Sequence, residues 1–303
     1  MRDYPLVSIL INNYNYGRFL GEAIDSALNQ TYPNIEVIVV DDGSTDNSKD
    51  IIAGYKERIR PILKENGGQA SAFNTGFAAS QGDIVCFLDA DDIFLPEKAG
   101  KIVDIFTKNQ DIGWCFHALS MVNSDFKKVF ENIYRGASGR YDLTLQVQRG
   151  KLAGKMPFDG TATSAICFRR SFLASLLPMP EAPGITLHDD YLKYISLGIS
   201  PGYILLEELA LQRLHNNNAS TNRKDKRGLQ LKNQSITAYW MKTSFPVLSK
   251  FSNNLLAVGL SQSWSLDGVD SEHQEIIRLY LEKATPLEKL EIFLRATYYR
   301  FKP

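Results

Sequence analysis

Three cysteines are all that this 303-residue chain contains. Cys86, Cys115 and Cys167 stand far apart, each inside an apolar run. That spacing excludes a disulfide framework or a thiolate zinc site and leaves the three as small core residues. A surplus of either charge is also missing, since 34 Lys and Arg balance 34 Asp and Glu. A general nucleic-acid binder carries a basic excess, so nucleic acid is not expected as a partner. No apolar run approaches the ~20 residues that cross a bilayer. The opening Met1-Arg2-Asp3-Tyr4-Pro5 has no basic stretch followed by a long apolar core, so no signal peptide is expected. The expected compartment is therefore the cytoplasm, including the inner face of the membrane. The Asn-x-Ser/Thr triplets at Asn29, Asn218 and Asn233 then carry no glycosylation meaning. A Gly-rich turn after the first strand is absent too, which disfavours NAD.

What is present is ordinary in amount and informative in order. Apolar residues make up 44% of the chain and charged residues 22%, which suits a folded rather than a disordered chain. Strands are expected at Leu6–Ile11, Val37–Val40, Ile62–Leu63 and Ile84–Leu88. Helices are expected between them at Phe19–Leu28, Asp46–Lys56 and Gln69–Ser80, and after them at Pro96–Thr107. Strands that are apolar throughout and separated by helices imply an α/β fold with a parallel sheet covered on both faces. Ligands of such sheets sit at the carboxyl ends of the strands. There the sequence places Asn12-Asn13-Tyr14-Asn15-Tyr16-Gly17, Asp41-Asp42-Gly43-Ser44-Thr45-Asp46 and Asp89-Ala90-Asp91-Asp92. Core packing does not ask for such residues at three strand ends. Further strands are expected at Ile112–His117, Ser164–Phe168 and Tyr203–Leu214, a helix at Asp189–Leu197, and a loop over Gly136–Gly160.

Asp89 and Asp91, at i and i+2 after a buried strand, can turn toward one ion. Oxygen ligands favour a hard divalent cation, Mn or Mg, of the kind that bridges a diphosphate. The competing reading is an Asx turn or a helix cap, which suits Asp92 because Pro96 opens the next helix. Capping and turn chemistry likewise accounts for Gly43, Ser44, Thr45 and Asp46. It does not account for Asp41 and Asp42 side by side at a strand end, where one carboxylate could accept the ring N–H of a uracil or thymine. Asn66 to Gly76 joins a Gly67-Gly68 turn to a helix start carrying Gln69 and Asn74. Backbone N–H groups there suit phosphate, and its small residues equally suit close packing on a sheet.

Four ordered blocks resemble the family 2 glycosyltransferases with the GT-A fold. They are Val7–Asn15, Ser26–Asn34, Val39–Asp46 and Gly82–Asp92. Two departures stand out: Asn12 where a Pro is usual, and Phe73 where a basic residue is frequent. The resemblance implies a Rossmann-like, mostly parallel sheet that binds a nucleotide-sugar, with inverting transfer to an acceptor hydroxyl in surface polysaccharide or glycan synthesis. It implies Tyr14 near the base, with Asn13 and Asn15 shaping the turn. Asp42 or Asp41 would bind uracil, Asp89 the donor ribose or sugar, and Asp91 the metal. Ala90, Gly68, Gln69 and Asn74 fall in the same donor-binding set. Leu187 to Leu192 matches the family's later acidic pair, which makes Asp190 the general base; the competing reading of Asp189-Asp190 is the acidic first turn of a helix. Arg213-Leu214-His215, followed by Asn216 to Ser220, matches a further segment and makes His215 a third metal or phosphate contact. His117 and His188 are assigned no role.

The expected donor is a UDP-sugar, and glycan, lipid-linked and protein acceptors stay open. The expected organisation is a glycosyltransferase domain over 1–222, with a nucleotide-sugar half at 1–108 and an acceptor half at 109–222, then a helical region over 223–303. Two other readings compete with this one. Cys86 to Asp91 also resembles the first motif of haloacid-dehalogenase-like phosphatases, in which the first Asp is a nucleophile. The other rival is a nucleotide-sugar-binding protein without turnover. The helical tail ends on Tyr298-Tyr299-Arg300-Phe301-Lys302. Packing or a homo-oligomer contact is its first reading, and a peripheral contact with an anionic membrane its second.

Overall fold

Apolar, β-branched runs form the central strands of this chain, as their composition dictates. The structure is a computed structural model that describes residues 4–152, 156–157, 161–181, 187–215, 218, 226–264 and 271–301. In chain order come β1 (Val7–Asn13), α1 (Gly17–Leu28), β2 (Ile35–Asp42), α2 (Ser48–Gly54), β3 (Arg60–Lys64), α3 (Gly68–Ala79), β4 (Ile84–Asp89), β5 (Ile93–Phe94) and α4 (Lys98–Lys108). Then follow β6 (Trp114–Val122), β7 (Gly139–Tyr141), α5 (Thr144–Gln148), β8 (Ile166–Arg169), α6 (Arg170–Leu173), α7 (Asp189–Ile199) and β9 (Gly202–Arg213). The remaining helices are α8 (Lys226–Ser244), α9 (Ser249–Ser263), α10 (Ser271–Glu282) and α11 (Pro286–Phe301).

The described residues form two compact units. The first comprises 1–142, 154–179 and 200–215 and carries a sheet of order β3-β2-β1-β4-β8-β6-β9-β5, with β7 paired to β9. The pairs β1–β2, β1–β4, β2–β3 and β6–β9 are parallel; those involving β5, β7 and β8 are antiparallel. One sheet face packs Ile9, Ile11, Val37, Val39, Cys86 and Leu88 against Leu20 and Ile24 of α1 and Ile102 and Phe106 of α4. All three cysteines are buried and free. They lie on one row of the sheet, Cys86 and Cys115 each opposite Cys167. Aromatic rings, Phe73 on Phe87 and Phe87 on Phe168, lie in the core beside α3. Phe73 is thus a core residue of α3, buried to 1%. Gly76 lets α3 approach the sheet, since a Cβ there would lie 3.3 Å from Val40.

The second unit comprises 143–153, 180–199 and 216–303. Ala238, Leu256, Leu260, Tyr280, Ile292 and Ala296 pack together as its core. Tyr194 of α7 meets Phe251 of α9, and the absence of a side chain at Gly198 makes room for Leu248.

The expected loop over Gly136–Gly160 holds β7 and α5, whose three and five residues are too short for periodicity to show. The two-residue strand β5 was not anticipated for the same reason. Residues 153–155 and 158–160 of that loop, together with Asn216, Asn217, Ala219, Ser220, Arg223 and Lys302, lie outside the described residues. So does the expected boundary between residues 222 and 223.

Candidate active site

Parallel register brings the strand ends together. Asn13 stands opposite Asp41 in the β1–β2 ladder, and Asn12 opposite Asp89 in the β1–β4 ladder. The side chains follow the register: Asn13 Nδ2 donates to Asp41 Oδ1 at 2.7 Å, and Asn12 Nδ2 donates to Asp89 Oδ1 at 2.8 Å. Among the described residues, the Oδ1 atoms of both asparagines are buried and accept no hydrogen bond.

Asp89, Asp91 and Asp92 bring carboxylate oxygens within 4.8 Å of one another. The first helical turn is not where Asp92 acts. It is 2% exposed and accepts from Ser164 Oγ at 2.6 Å and from the Arg213 N–H at 3.1 Å. The expected helix cap is therefore corrected: α4 begins at Lys98 with no side-chain cap, and Asp92 is drawn inward by β9 and the segment before β8. Burial, then the charges of Asp91 and Asp89, push its carboxyl well above the ordinary range. Ser164 also accepts from the Asp89 N–H at 3.0 Å, and its carbonyl takes the buried Lys98 Nζ at 2.7 Å. Burial pushes that ammonium's pKa down.

His215 completes this end of the rim. Its Nε2 lies 3.0 Å from Asp91 Oδ2, and its Nδ1 lies 3.2 Å from Arg18 Nη2. A guanidinium can only donate, so the neutral ring carries its proton on Nε2, toward Asp91. Phe19 packs on the imidazole at 4.6 Å. Arg213 reaches the same corner, donating from Nε to the Asp91 carbonyl at 3.2 Å and pairing with Glu22 at 2.8 Å.

The Asp41–Asp46 loop is tied on both sides. Asp41 is fully buried and accepts from Asn13 and, at 3.1 Å, from the Ser44 N–H. Asp42 accepts from Lys64 Nζ at 2.6 Å, Asn66 Nδ2 at 3.2 Å, the Gly67 N–H at 3.0 Å and the Gly68 N–H at 2.7 Å. Those four donors fill a carboxylate's acceptor sites. The N–H of Gly68, read from the sequence as an anion donor, is thereby bonded to Asp42. Asn15, at φ 59°, accepts from the Thr45 N–H at 2.8 Å and so joins the two loops. Gly43 has φ +79°, and a Cβ on it would lie 2.7 Å from Asn66 N. Tyr14 is 47% exposed on this rim.

Gln69 reaches Asp89 at 3.5 Å and Thr163 at 3.3 Å, and Ala90 is buried beneath the cluster. Asn74 points elsewhere: its amide donates to the Met179 carbonyl and accepts from the Met179 N–H, at 2.8 and 2.7 Å. In the second unit, Asp189 and Asp190 open α7 as its acidic first turn. Lys193, one turn on, bonds Asp190 at 2.7 Å and Asp189 at 3.2 Å. Burial opposes the charge on Lys193, and the two carboxylates more than offset it, raising its pKa. Burial lowers the pKa of the neighbouring His188.

Sequence reasoning missed Arg18, Glu22, Lys64, Lys98 and Ser164, which act only through partners distant along the chain. The departure at Asn12 was a visible signal: it puts an amide where the usual ring could not donate to Asp89.

The model for Glycosyl transferase family 2 matches residues 8–172 of the chain. An uncharacterised glycosyltransferase of Nostoc is 34% identical over 262 residues, which is 82% of this chain and 80% of that protein. The putative teichuronic acid biosynthesis glycosyltransferase TuaG of Bacillus subtilis is 31% identical over 228 residues, 72% of this chain and 83% of TuaG. Among solved structures, S. aureus TarS 1-349 in complex with UDP-GlcNAc superposes with a TM-score of 0.64 at 15% identity, over 97% of this chain and 89% of that one. That likeness is one of fold. The phosphatase alternative finds no support in any of them.

Proposed function

Because the chain belongs to glycosyl transferase family 2, we propose that it moves a sugar from a UDP-sugar to an acceptor hydroxyl in the synthesis of a cell-surface polysaccharide, by direct displacement with inversion at the anomeric carbon. TuaG supports the class of product by its name, and TarS supports the donor class by the UDP-GlcNAc it holds. The observation that carries the reading is the carboxylate cluster at the end of β4, with His215 seated on Asp91.

The cluster fits a hard divalent cation, because it gathers carboxylate oxygens and one imidazole and no sulfur. Asp91 and His215 would hold Mn or Mg, with Asp89 as a further ligand. When bound there, the ion would supply Lewis-acid stabilisation of the charge on the departing diphosphate. The other tasks fall to the chain's own residues. Tyr14 offers its exposed ring to the base, and Asn13 and Asn15 hold the turn that carries it. Asp42 or Asp41 accepts the ring N–H of uracil in exchange for one of its present bonds. Asp89 and Gln69 face the donor's ribose and sugar with the buried Ala90 behind them, while Gly68 and Asn74 support the wall that α3 contributes. Asp190 takes the proton from the acceptor hydroxyl as that oxygen attacks C1. Lys193 holds the Asp190 carboxylate in place until the acceptor arrives.

The test is a panel of nucleotide sugars incubated with Mn or Mg, scored by UDP release and by thermal stabilisation. Turnover confined to UDP-sugars, with a product anomer opposite to the donor's by NMR, is the expected result. Transfer with the donor's configuration kept, or turnover of another nucleotide only, overturns the finer parts of the proposal.

A further inference from the structure

The start of α1 closes the rim beside Asp91. Tyr16 and Phe19 set their rings against His215, at 5.7 and 4.6 Å between centroids. The Phe19 ring carries two guanidiniums, Arg18 at 4.4 Å and Arg213 at 4.7 Å from its centroid. The two arginines differ in what they face. Arg213 is 5% exposed, pairs with Glu22 at 2.8 Å and donates to the Asp91 carbonyl. Arg18 is exposed. Its Nη2 reaches His215 Nδ1 at 3.2 Å, and among the described residues it forms no ion pair.

The acids around Arg18 are engaged elsewhere. Glu22, one turn along α1, is bonded to Arg213. Asp46 accepts from the Gly17 N–H at 2.8 Å, the Ser48 N–H at 3.0 Å and Ser48 Oγ at 2.5 Å. The first turn of α1 has no acidic residue of its own. Arg18 is the second residue of that helix, where the aligned N–H groups already carry partial positive charge, so the dipole disfavours a cation there. Other cations near the strand ends are committed: Lys64 to Asp42, and the buried Lys98 to the Ser164 carbonyl. Arg18 thus brings an unneutralised charge to the rim, one imidazole away from Asp91. A guanidinium presents parallel N–H groups that match two oxygens of a phosphate, which a lysine does not. Charge grows on a departing diphosphate, and a donor already aimed at it strengthens as it does so.

We infer, on the donor reading given above, that Arg18 is a further donor-binding residue whose guanidinium takes the diphosphate of the nucleotide-sugar. The contact comes from the start of α1, where the strand-end motifs do not reach. The competing role is that of a positioning residue, in which Arg18 only holds the His215 ring on Asp91.

Titration of the full chain with UDP and with uridine, both in Mn buffer, tests it. Calorimetry follows UDP, and ligand-observed NMR follows the weaker uridine. The wild type is expected to bind UDP more tightly than uridine. Arg18→Ala is expected to weaken UDP binding about 10- to 100-fold and to leave uridine binding unchanged, at the wild-type melting temperature because the side chain is exposed. Arg18→Lys, which keeps the charge and loses the fork, is expected to recover part of the loss. The same loss is expected when Arg18→Ala is made in a His215→Ala background, since the contact does not pass through the imidazole. An Arg18→Ala variant that binds UDP as the wild type does overturns the inference. Equal losses for UDP and uridine overturn it as well, because they report a disturbed α1. A loss that vanishes in the His215→Ala background overturns it in favour of the positioning role. A wild type that binds neither UDP nor uridine brings down the donor reading and this inference with it. UDP binding by the wild type that Arg18→Ala does not change brings down this inference alone.

Discussion

Asn12 donates to Asp89 at 2.8 Å from the neighbouring strand, so one amide fixes the carboxylate that opens the acidic cluster. A hydrogen bond to a charged group contributes roughly 1.5–3 kcal/mol. Asn12→Ala is therefore expected to lower kcat/KM about 10- to 100-fold while the circular dichroism spectrum stays the same. An unchanged rate would mean that Asp89 needs no tether. Asp190→Asn keeps the size and the Lys193 contact but cannot take a proton. Loss of about 10²- to 10⁴-fold in kcat, with little change in the donor KM, is expected from steady-state kinetics. Near-normal turnover would remove Asp190 from the base role. Residue identity and strand-end position announced Asp89 and Asp91 as candidates, and the resemblance to the family added Asp190 and His215. Neither announced Ser164, which bonds Asp92 and the Asp89 backbone from 72 and 75 positions away. A serine in an apolar run has no local mark of such a task.

At the scale of elements, the turn after β2 and the start of α3 are one construction. Asp42 secures the N–H groups of Gly67 and Gly68, and Gly43 passes against Asn66 in a left-handed conformation. Gly43→Ala adds a Cβ 2.7 Å from Asn66 N and imposes positive φ on an L side chain. A loss of about 1–3 kcal/mol is expected, read as a lower denaturant midpoint, with weaker nucleotide binding because both loops shift. In the second unit, burial alone would raise the Glu288 pKa, but Lys242, the Thr285 N–H and Asn253 hold it down at about 2, against an ordinary 4.5. A depressed folded-state pKa gives stability that is complete above the unfolded value and lost as the pH falls through the folded one. The melting temperature of the wild type is therefore expected to fall more steeply than that of Glu288→Gln between pH 4.5 and pH 2. Parallel slopes would show that the Lys242–Asn253–Glu288 cluster contributes nothing. Strands β1, β2, β4 and β6 and helices α1 and α4 were legible in the sequence because each repeats one pattern over six or more residues. The two-residue β5 and the three-residue β7 were not, because nothing that short has a period.

For the whole molecule, the chain is a glycosyltransferase with a GT-A fold: a mixed, mostly parallel sheet flanked by helices, followed by a helical region. If a divalent ion works at Asp91 and His215, removing it with EDTA is expected to abolish sugar transfer, and Mn or Mg to restore it. UDP should then raise the melting temperature only when the ion is present. Full transfer in excess chelator would leave the acidic cluster without that role. The sequence by itself determined the parallel half of the sheet, the acidic strand ends and the family, because buried strands need continuous apolar runs and chemistry needs particular side chains, and both are local properties. The tertiary structure alone decided which of those side chains are already engaged. It folded Asp92 inward onto Ser164 and Arg213, spent Asp42 on Gly67 and Gly68, and turned Asn74 to Met179. Hydrogen-bond partners are set by strand register and by the approach of segments far apart along the chain, and neither distance nor direction between such segments is written in any short stretch of sequence.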